Sequence, residues 1–256
     1  MASHEQSVQQ QFDSQAQAYL TSAVHAQGPD LAEALRRVEA DIPRDSQGLD
    51  VGCGAGHLSF MLAQALDRVV ALDPSAGMLA TVAEAAAARG LHQIQTRQGS
   101  AGSLPFEDGA FGLVGTRYSA HHWLALPACL RELHRVLKPG GRLLLIDITG
   151  DADPLVDTHL QAMEVLRDPS HVRNHSIREW QALLSAAGLA AIEHQSWPTP
   201  LQFTPWVERM RTPAARVAAI RELQGGAPAE VKAALRFAPD GSFTATTTLF
   251  WARRPA

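Results

Sequence analysis

The strongest constraint in this sequence is an alternation. From residue 48 to residue 149, short apolar runs suited to buried strands take turns with segments of helical period. GLDVG (48–52), RVVALD (68–73), HQIQTRQG (92–99), AFGLVGTRYS (110–119) and RLLLIDIT (142–149) read as strands, the fourth with the loop that follows it. HLSFMLAQAL (57–66), SAGMLATVAEAAAARG (75–90) and PACLRELHRVL (127–137) read as helices; Gly90 stops the second and KPGG (138–141) the third. Such alternation calls for parallel strands joined by right-handed crossovers, with helices on both faces. It predicts an α/β fold built on a doubly wound, mostly parallel sheet.

After residue 150 the pattern loosens. IREWQALLSAAG (177–188) is helical with a glycine stop, LAAIEHQSW (189–197) reads as a strand, and SFTATTTLFWAR (242–253) closes the chain as another. That brings the sheet to seven strands. No crossover helix of standard length separates the last two strands, so the sheet is expected to end in an antiparallel edge. Residues 151–176 and 198–240 carry helical periods broken by prolines and suit a small helical cap.

The formal net charge is -4 and no block of like charges occurs, so there is no electrostatic footprint for a nucleic acid. No apolar run approaches the ~18 residues of a membrane span, and the polar N-terminus lacks a signal peptide's apolar core. Two cysteines, Cys53 and Cys129, make a disulfide framework improbable. A cytoplasmic protein is the expectation.

At the first strand-to-helix turn stand Gly52, Gly54 and Gly56. Bare backbone there lets a ligand approach the main chain and the helix N-terminus. The dinucleotide fingerprint G-x-G-x-x-G would need glycine or alanine at position 57, which is His57. Asp73 ends the next strand about 20 residues on, where a carboxylate accepts ribose hydroxyl protons. Asp50, just before the glycines, would oppose a pyrophosphate but suits a ligand bearing an ammonium group.

LDVGCGAGHLS and ALDPSAGML resemble motifs I and II of the class I S-adenosylmethionine-dependent methyltransferases. LPFEDGAFGLV and ELHRVLKPGGRLLLID resemble the segments around that family's fourth and fifth strands. The group most similar is the ubiquinone/menaquinone-biosynthesis type. Through FDSQAQAYLTS, RYSAHHW, SHVRN and WVERMRTP, nearly the whole chain resembles the YafE-type branch.

The resemblance implies a Rossmann-like methyltransferase fold, one domain over 1–256, with S-adenosylmethionine as cofactor. Residues 1–45 would be N-terminal helices closing over the cofactor, 48–150 the cofactor-binding core, and 151–176 and 198–240 the cap. The Gly52–Gly56 loop, with Cys53 packed inside it, would face the methionine part, which Asp50 orients and Tyr19 approaches. Asp73 would hold the ribose, and Pro74, Ser75 and Met78 would line the adenine side. Where the family usually has an acid after the glycine of the third strand, this chain has Ser100, leaving adenine to that hydroxyl or the Ala101 main chain.

RYSAHHW (117–123) follows the fourth strand, at the carboxyl edge where doubly wound sheets bind ligands. Tyr118, His121 and His122 are candidates to position an acceptor or take its proton, and Trp123 to line the site. In DPSHVRNHS (168–176), His171, Arg173 and His175 are placed to grip an acidic or phenolic substrate. Trp206, in an aromatic cluster with Trp197 and Phe203, suits a flat organic molecule. Plainer readings stand beside these: a histidine capping the next helix, Trp123 in the core, Ser176 as a helix N-cap, aromatics as packing.

The expected reaction is methyl transfer to an O, N or activated C of a small aromatic or heterocyclic molecule, without nucleic acid, membrane or metal, by a monomer or homodimer. The rivals are an NAD(P)-linked oxidoreductase on the same layout and a non-catalytic S-adenosylmethionine-binding protein.

Overall fold

The computed structural model describes His4 and residues 28–256. Tyr19, with the helices expected before residue 28, lies outside the described residues.

Helix α1 (Pro29–Asp41) leads into the alternating core: β1 (Gln47–Val51), α2 (His57–Ala65), β2 (Arg68–Asp73), α3 (Ala76–Ala88), β3 (Ile94–Gln98), β4 (Phe111–Arg117), a 3-10 turn (Ala120–His122), α4 (Leu126–Val136) and β5 (Leu137–Thr149). The second part adds α5 (Pro154–Arg167), α6 (Ile177–Ala186), β6 (Ala190–Leu201), α7 (Phe203–Arg209), α8 (Ala214–Gly226), α9 (Ala229–Ala234) and β7 (Phe243–Arg253). The seven strands lie in the order β3-β2-β1-β4-β5-β7-β6. The first five are parallel; β7 is antiparallel to both neighbours. The sheet ends in antiparallel pairing as expected, but the C-terminal strand β7 is slotted between β5 and β6, so β6 is the edge.

Strand alternation divides the apolar residues between two layers. Val70, Leu72, Leu143, Leu145 and Phe250 pack against α4 and α6. Val69, Leu144, Ile146, Leu249 and Trp251 pack against α1 and α2. A separate apolar cluster joins α5, α7, α8 and α9 to the ends of β6 and β7, which makes the cap a small core of its own.

Two strands run beyond their expected limits. β6 continues through WPTPL to Leu201, past two prolines. It is an edge strand, and Pro198 and Pro200, two residues apart, both leave their missing N–H on the same side of the strand. β5 starts at Leu137, so KPGG is its first turn-like stretch, with Gly140 at φ +77 and an irregular pairing between Phe111 and Leu113. Caps read more simply: Ser176 and Glu179 form a capping box at α6.

The order places a switch point between β1 and β4, because the chain moves away from β1 through β2 to β3 and returns at β4. Ligands of open α/β sheets bind outside the carboxyl ends of the strands at such a point. No helix among the described residues is long and apolar enough to cross a membrane.

Candidate active site

Each of the three glycines has a left-handed backbone, at φ +68, +50 and +90 for Gly52, Gly54 and Gly56. Their surroundings differ. A Cβ on Gly52 would lie 2.0 Å from Ser119 Oγ, and one on Gly56 would meet Phe60 at 2.9 Å and Val82 at 3.0 Å. A Cβ on Gly54 would have nothing within 4 Å among the described residues. Gly52 and Gly56 are therefore demanded by the protein's own packing, whereas Gly54 borders open space. Burial pushes the Cys53 thiol up, and Asp73 and Asp50 add to it, so the thiol is a packed group and not a nucleophile.

Asp73 fixes this turn to the next one. Its carboxylate accepts the Gly54 N–H and the Ser75 N–H, both at 2.9 Å. Ser75 caps α3 by accepting from the Met78 N–H, and Met78 is buried. Pro74 accepts from the Gln98 side chain, and Gly99 N–H reaches the Asp73 carbonyl at 3.2 Å. Ser100 and Ala101 follow directly, with Ser100 bridged to Ser103. The structure thus brings Asp73, Pro74, Ser75, Met78, Ser100 and Ala101 together at the carboxyl ends of β2 and β3.

Asp50 is fully buried in β1. Ser59 donates to its Oδ2 at 2.6 Å, while Oδ1 has no hydrogen-bond partner among the described residues. Burial pushes this carboxyl up to about 7, against the Ser59 hydrogen bond. An orphaned carboxylate oxygen, a glycine facing open space and a second carboxylate at the next strand end fit a ligand that carries an ammonium group and a ribose.

The loop after β4 supplies the other wall. Ser119 Oγ sits over Gly52 and accepts from the Trp123 indole at 3.3 Å, so Trp123 is a half-buried strut between this loop and the core. His121 Nδ1 lies 2.7 Å from Asp147 Oδ1, and the His121 main-chain N–H donates to Oδ2 at 3.1 Å. Burial alone would lower the His121 imidazole, but the Asp147 carboxylate overrides it and holds the ring above its ordinary value. His122 behaves differently. Its Nδ1 donates to the Ser170 carbonyl at 3.0 Å, and burial, helped by the His121 ring, lowers it to about 4. His4 lies 2.9 Å from the His122 carbonyl through Nε2.

The segment after α5 folds onto this turn. Val172 and Arg173 both donate main-chain N–H groups to the His121 carbonyl. That puts the His171 ring 5.6 Å from the His121 ring. Burial, then His121 and His122, bring His171 down to about 2. His175 lies edge-on to Trp180 at 5.4 Å, and burial lowers it too.

Three expected roles meet a different geometry. Tyr118 turns back at φ +51, its ring lies under the Arg117 guanidinium, and its hydroxyl bonds Thr247 Oγ1 at 2.9 Å. Thr247 is on the Leu249 face of the sheet and Asp147 on the Leu145 face, and burial pushes the phenol up to about 12. Tyr118 is a poor proton acceptor at neutral pH and serves the turn. Arg173 is paired with Asp157 at 3.3 Å and Glu179 at 3.1 Å, so its charge is already balanced. Trp206 is buried in the cap core against Phe203, Phe243 and the Arg167 guanidinium.

The sequence gives no expectation for Asp147, Ser59 or Ser119. Asp147 had a signal: it is the one charged residue within the apolar run LLLIDIT, at a strand's carboxyl end.

Known proteins share this architecture. Residues 49–145 match the Methyltransferase domain family. The chain is 47% identical to YafE of Escherichia coli K12 over 205 residues, 80% of this chain and 99% of YafE. It is 37% identical over 205 residues to YcgJ of Bacillus subtilis, described as a methyltransferase, covering 80% of each. The crystal structure of YcgJ superposes with a TM-score of 0.84 at 32% identity, over 89% of this chain and 98% of that one. BH2331 of Bacillus halodurans C-125 gives 0.85 at 30%, over 90% and 100%. The chain belongs to the class I S-adenosylmethionine-dependent methyltransferases, in the YafE type.

Proposed function

We propose that the protein methylates an oxygen, nitrogen or activated carbon of a small aromatic or heterocyclic acceptor. The observation that carries this reading is the Asp147–His121 pair, a buried carboxylate holding an imidazole at the carboxyl end of the sheet, next to the glycine turn. Bound S-adenosylmethionine supplies an electrophilic methyl group, and the chain contributes binding, alignment and a base.

In this reading the Gly52–Gly56 turn receives the methionine part, and Asp50 orients its ammonium group. Asp73 takes the ribose hydroxyls, with Pro74, Ser75, Met78, Ser100 and Ala101 on the adenine side. His121 is the base: Asp147 accepts from Nδ1–H, which leaves the Nε2 lone pair to receive an acceptor's proton. His122 anchors the 168–174 segment through Ser170.

The test is a methyl-transfer assay with isotopically labelled cofactor over phenols, nitrogen heterocycles and enolisable carbonyls. Labelled product with wild-type protein and little with His121→Ala supports the reading. Cofactor binding with no transfer to any member of the panel would favour a non-catalytic binding protein.

A further inference from the structure

The hydrogen bonds around His171 fix its tautomer. Gln161 directs its amide nitrogen at two acceptors, Asp157 Oδ1 at 2.9 Å and the Asn174 carbonyl at 2.7 Å. Its Oε1 therefore faces the Asn174 N–H and His171 Nε2, each at 3.0 Å. An amide oxygen only accepts, so His171 Nε2 carries the proton and Nδ1 the lone pair. At His121 the carboxylate of Asp147 has the same effect in mirror image: Nδ1 carries the proton and Nε2 the lone pair. Above the His121 ionisation, two neutral rings 5.6 Å apart each keep one nitrogen with no partner among the described residues, which can only accept a hydrogen.

The charges nearby narrow what can meet them. Asp147, Asp168 and Glu164 are buried around the histidines. Arg167 is paired with Glu164 at 3.2 Å, and Arg173 with Asp157 and Glu179. Carboxylates outnumber guanidinium groups, and an anionic acceptor would be repelled.

We propose that His171 binds the methyl acceptor through Nδ1, and that the acceptor is an uncharged ring with two neighbouring hydroxyl groups, one for His121 and one for His171. This rests on the methyl-transfer reading above. One hydroxyl gives its proton to His121 Nε2 while its oxygen bonds the methyl carbon; the carbon–sulfur bond breaks and its electron pair stays on sulfur. The other hydroxyl keeps its proton and donates to His171 Nδ1.

The experiment uses 15N-histidine-labelled protein saturated with S-adenosylhomocysteine and titrated with catechol, phenol or 3,4-dihydroxybenzoate. His171 is expected in the Nε2–H form before addition. Catechol should shift the His171 Nδ1 and His121 Nε2 resonances, phenol only the latter, and the carboxylate should bind more weakly than catechol. His171→Phe should lower catechol affinity about tenfold, to near that of phenol, the loss of one hydrogen bond. An Nδ1–H tautomer at His171, no His171 response to catechol, or undiminished catechol preference in the variant would overturn the inference. Calorimetry with S-adenosylhomocysteine separates the two readings: binding with a silent His171 removes this inference alone, and absent binding removes the methyltransferase reading.

Discussion

The Nδ1 of His121 and the Oδ1 of Asp147 stand 2.7 Å apart, and Asp147 also accepts the main-chain N–H groups of His121 and Ile148. The carboxylate fixes ring and backbone together, so the imidazole has one orientation and one tautomer. Rate should rise with pH through an ionisation above the ordinary histidine value. Asp147→Asn should move that ionisation down and cut kcat/KM by roughly 10²–10⁴. An unchanged pH profile in the variant would remove Asp147 from the chemistry.

The glycines separate packing from binding. Gly52→Ala drives a methyl into Ser119, so it should lower Tm, and Ser119→Gly should restore part of the loss. Gly54→Ala should carry only the left-handed backbone cost, about 1–2 kcal/mol, since its Cβ meets nothing among the described residues. It should stay folded and yet bind S-adenosylhomocysteine at least about tenfold more weakly by calorimetry, because its methyl would occupy ligand space.

Ser59 is the side-chain donor to a buried carboxylate whose other oxygen has no partner among the described residues. Ser59→Ala should cost about 1–3 kcal/mol in denaturant unfolding. The hydroxyl stabilises the ionised form, and Asp50 ionises near pH 7. The loss should therefore be larger at pH 8 than at pH 5.

His171 is neutral in the fold down to about pH 2, while in the unfolded chain it takes a proton near its ordinary value of 6.5. The stability it permits is fully present above pH 6.5 and is lost as pH falls. Asp50 works in the opposite sense, because its raised carboxyl costs stability as pH rises from about 4 to 7. Comparison with His171→Phe cancels the Asp50 contribution. Between pH 6.5 and 4.5 the variant should gain on the wild type by on the order of 1 kcal/mol per pH unit in the unfolding free energy from denaturant titrations.

Much of this was legible in the sequence. Local signals were enough for the parallel core, since RVVALD and the adjoining GLDV are buried on both faces and carry their own turn residues. The three glycines and Asp73 were legible because a strand-to-helix turn restricts what can stand there. What escaped depends on long-range contact. Nothing local says that β7 inserts between β5 and β6, or that β6 runs through two prolines, because edge position decides that. His121 and His122 are equivalent in sequence; only the Asp147 carboxylate and the Ser170 carbonyl, 26 and 48 residues away, tell them apart. Arg173 read as a free cation until the fold brought Asp157 and Glu179 to it.

The central claim is that the turn from β1 to α2, with Asp73 behind it, binds S-adenosylmethionine. The direct test is calorimetric titration of wild-type and Asp73→Ala protein with S-adenosylmethionine and S-adenosylhomocysteine, with NADH as control. The account predicts micromolar binding of both sulfur compounds to the wild type, loss of both in a folded Asp73→Ala, and no binding of NADH. Binding of NADH alone, or equal affinity in the variant, would contradict it.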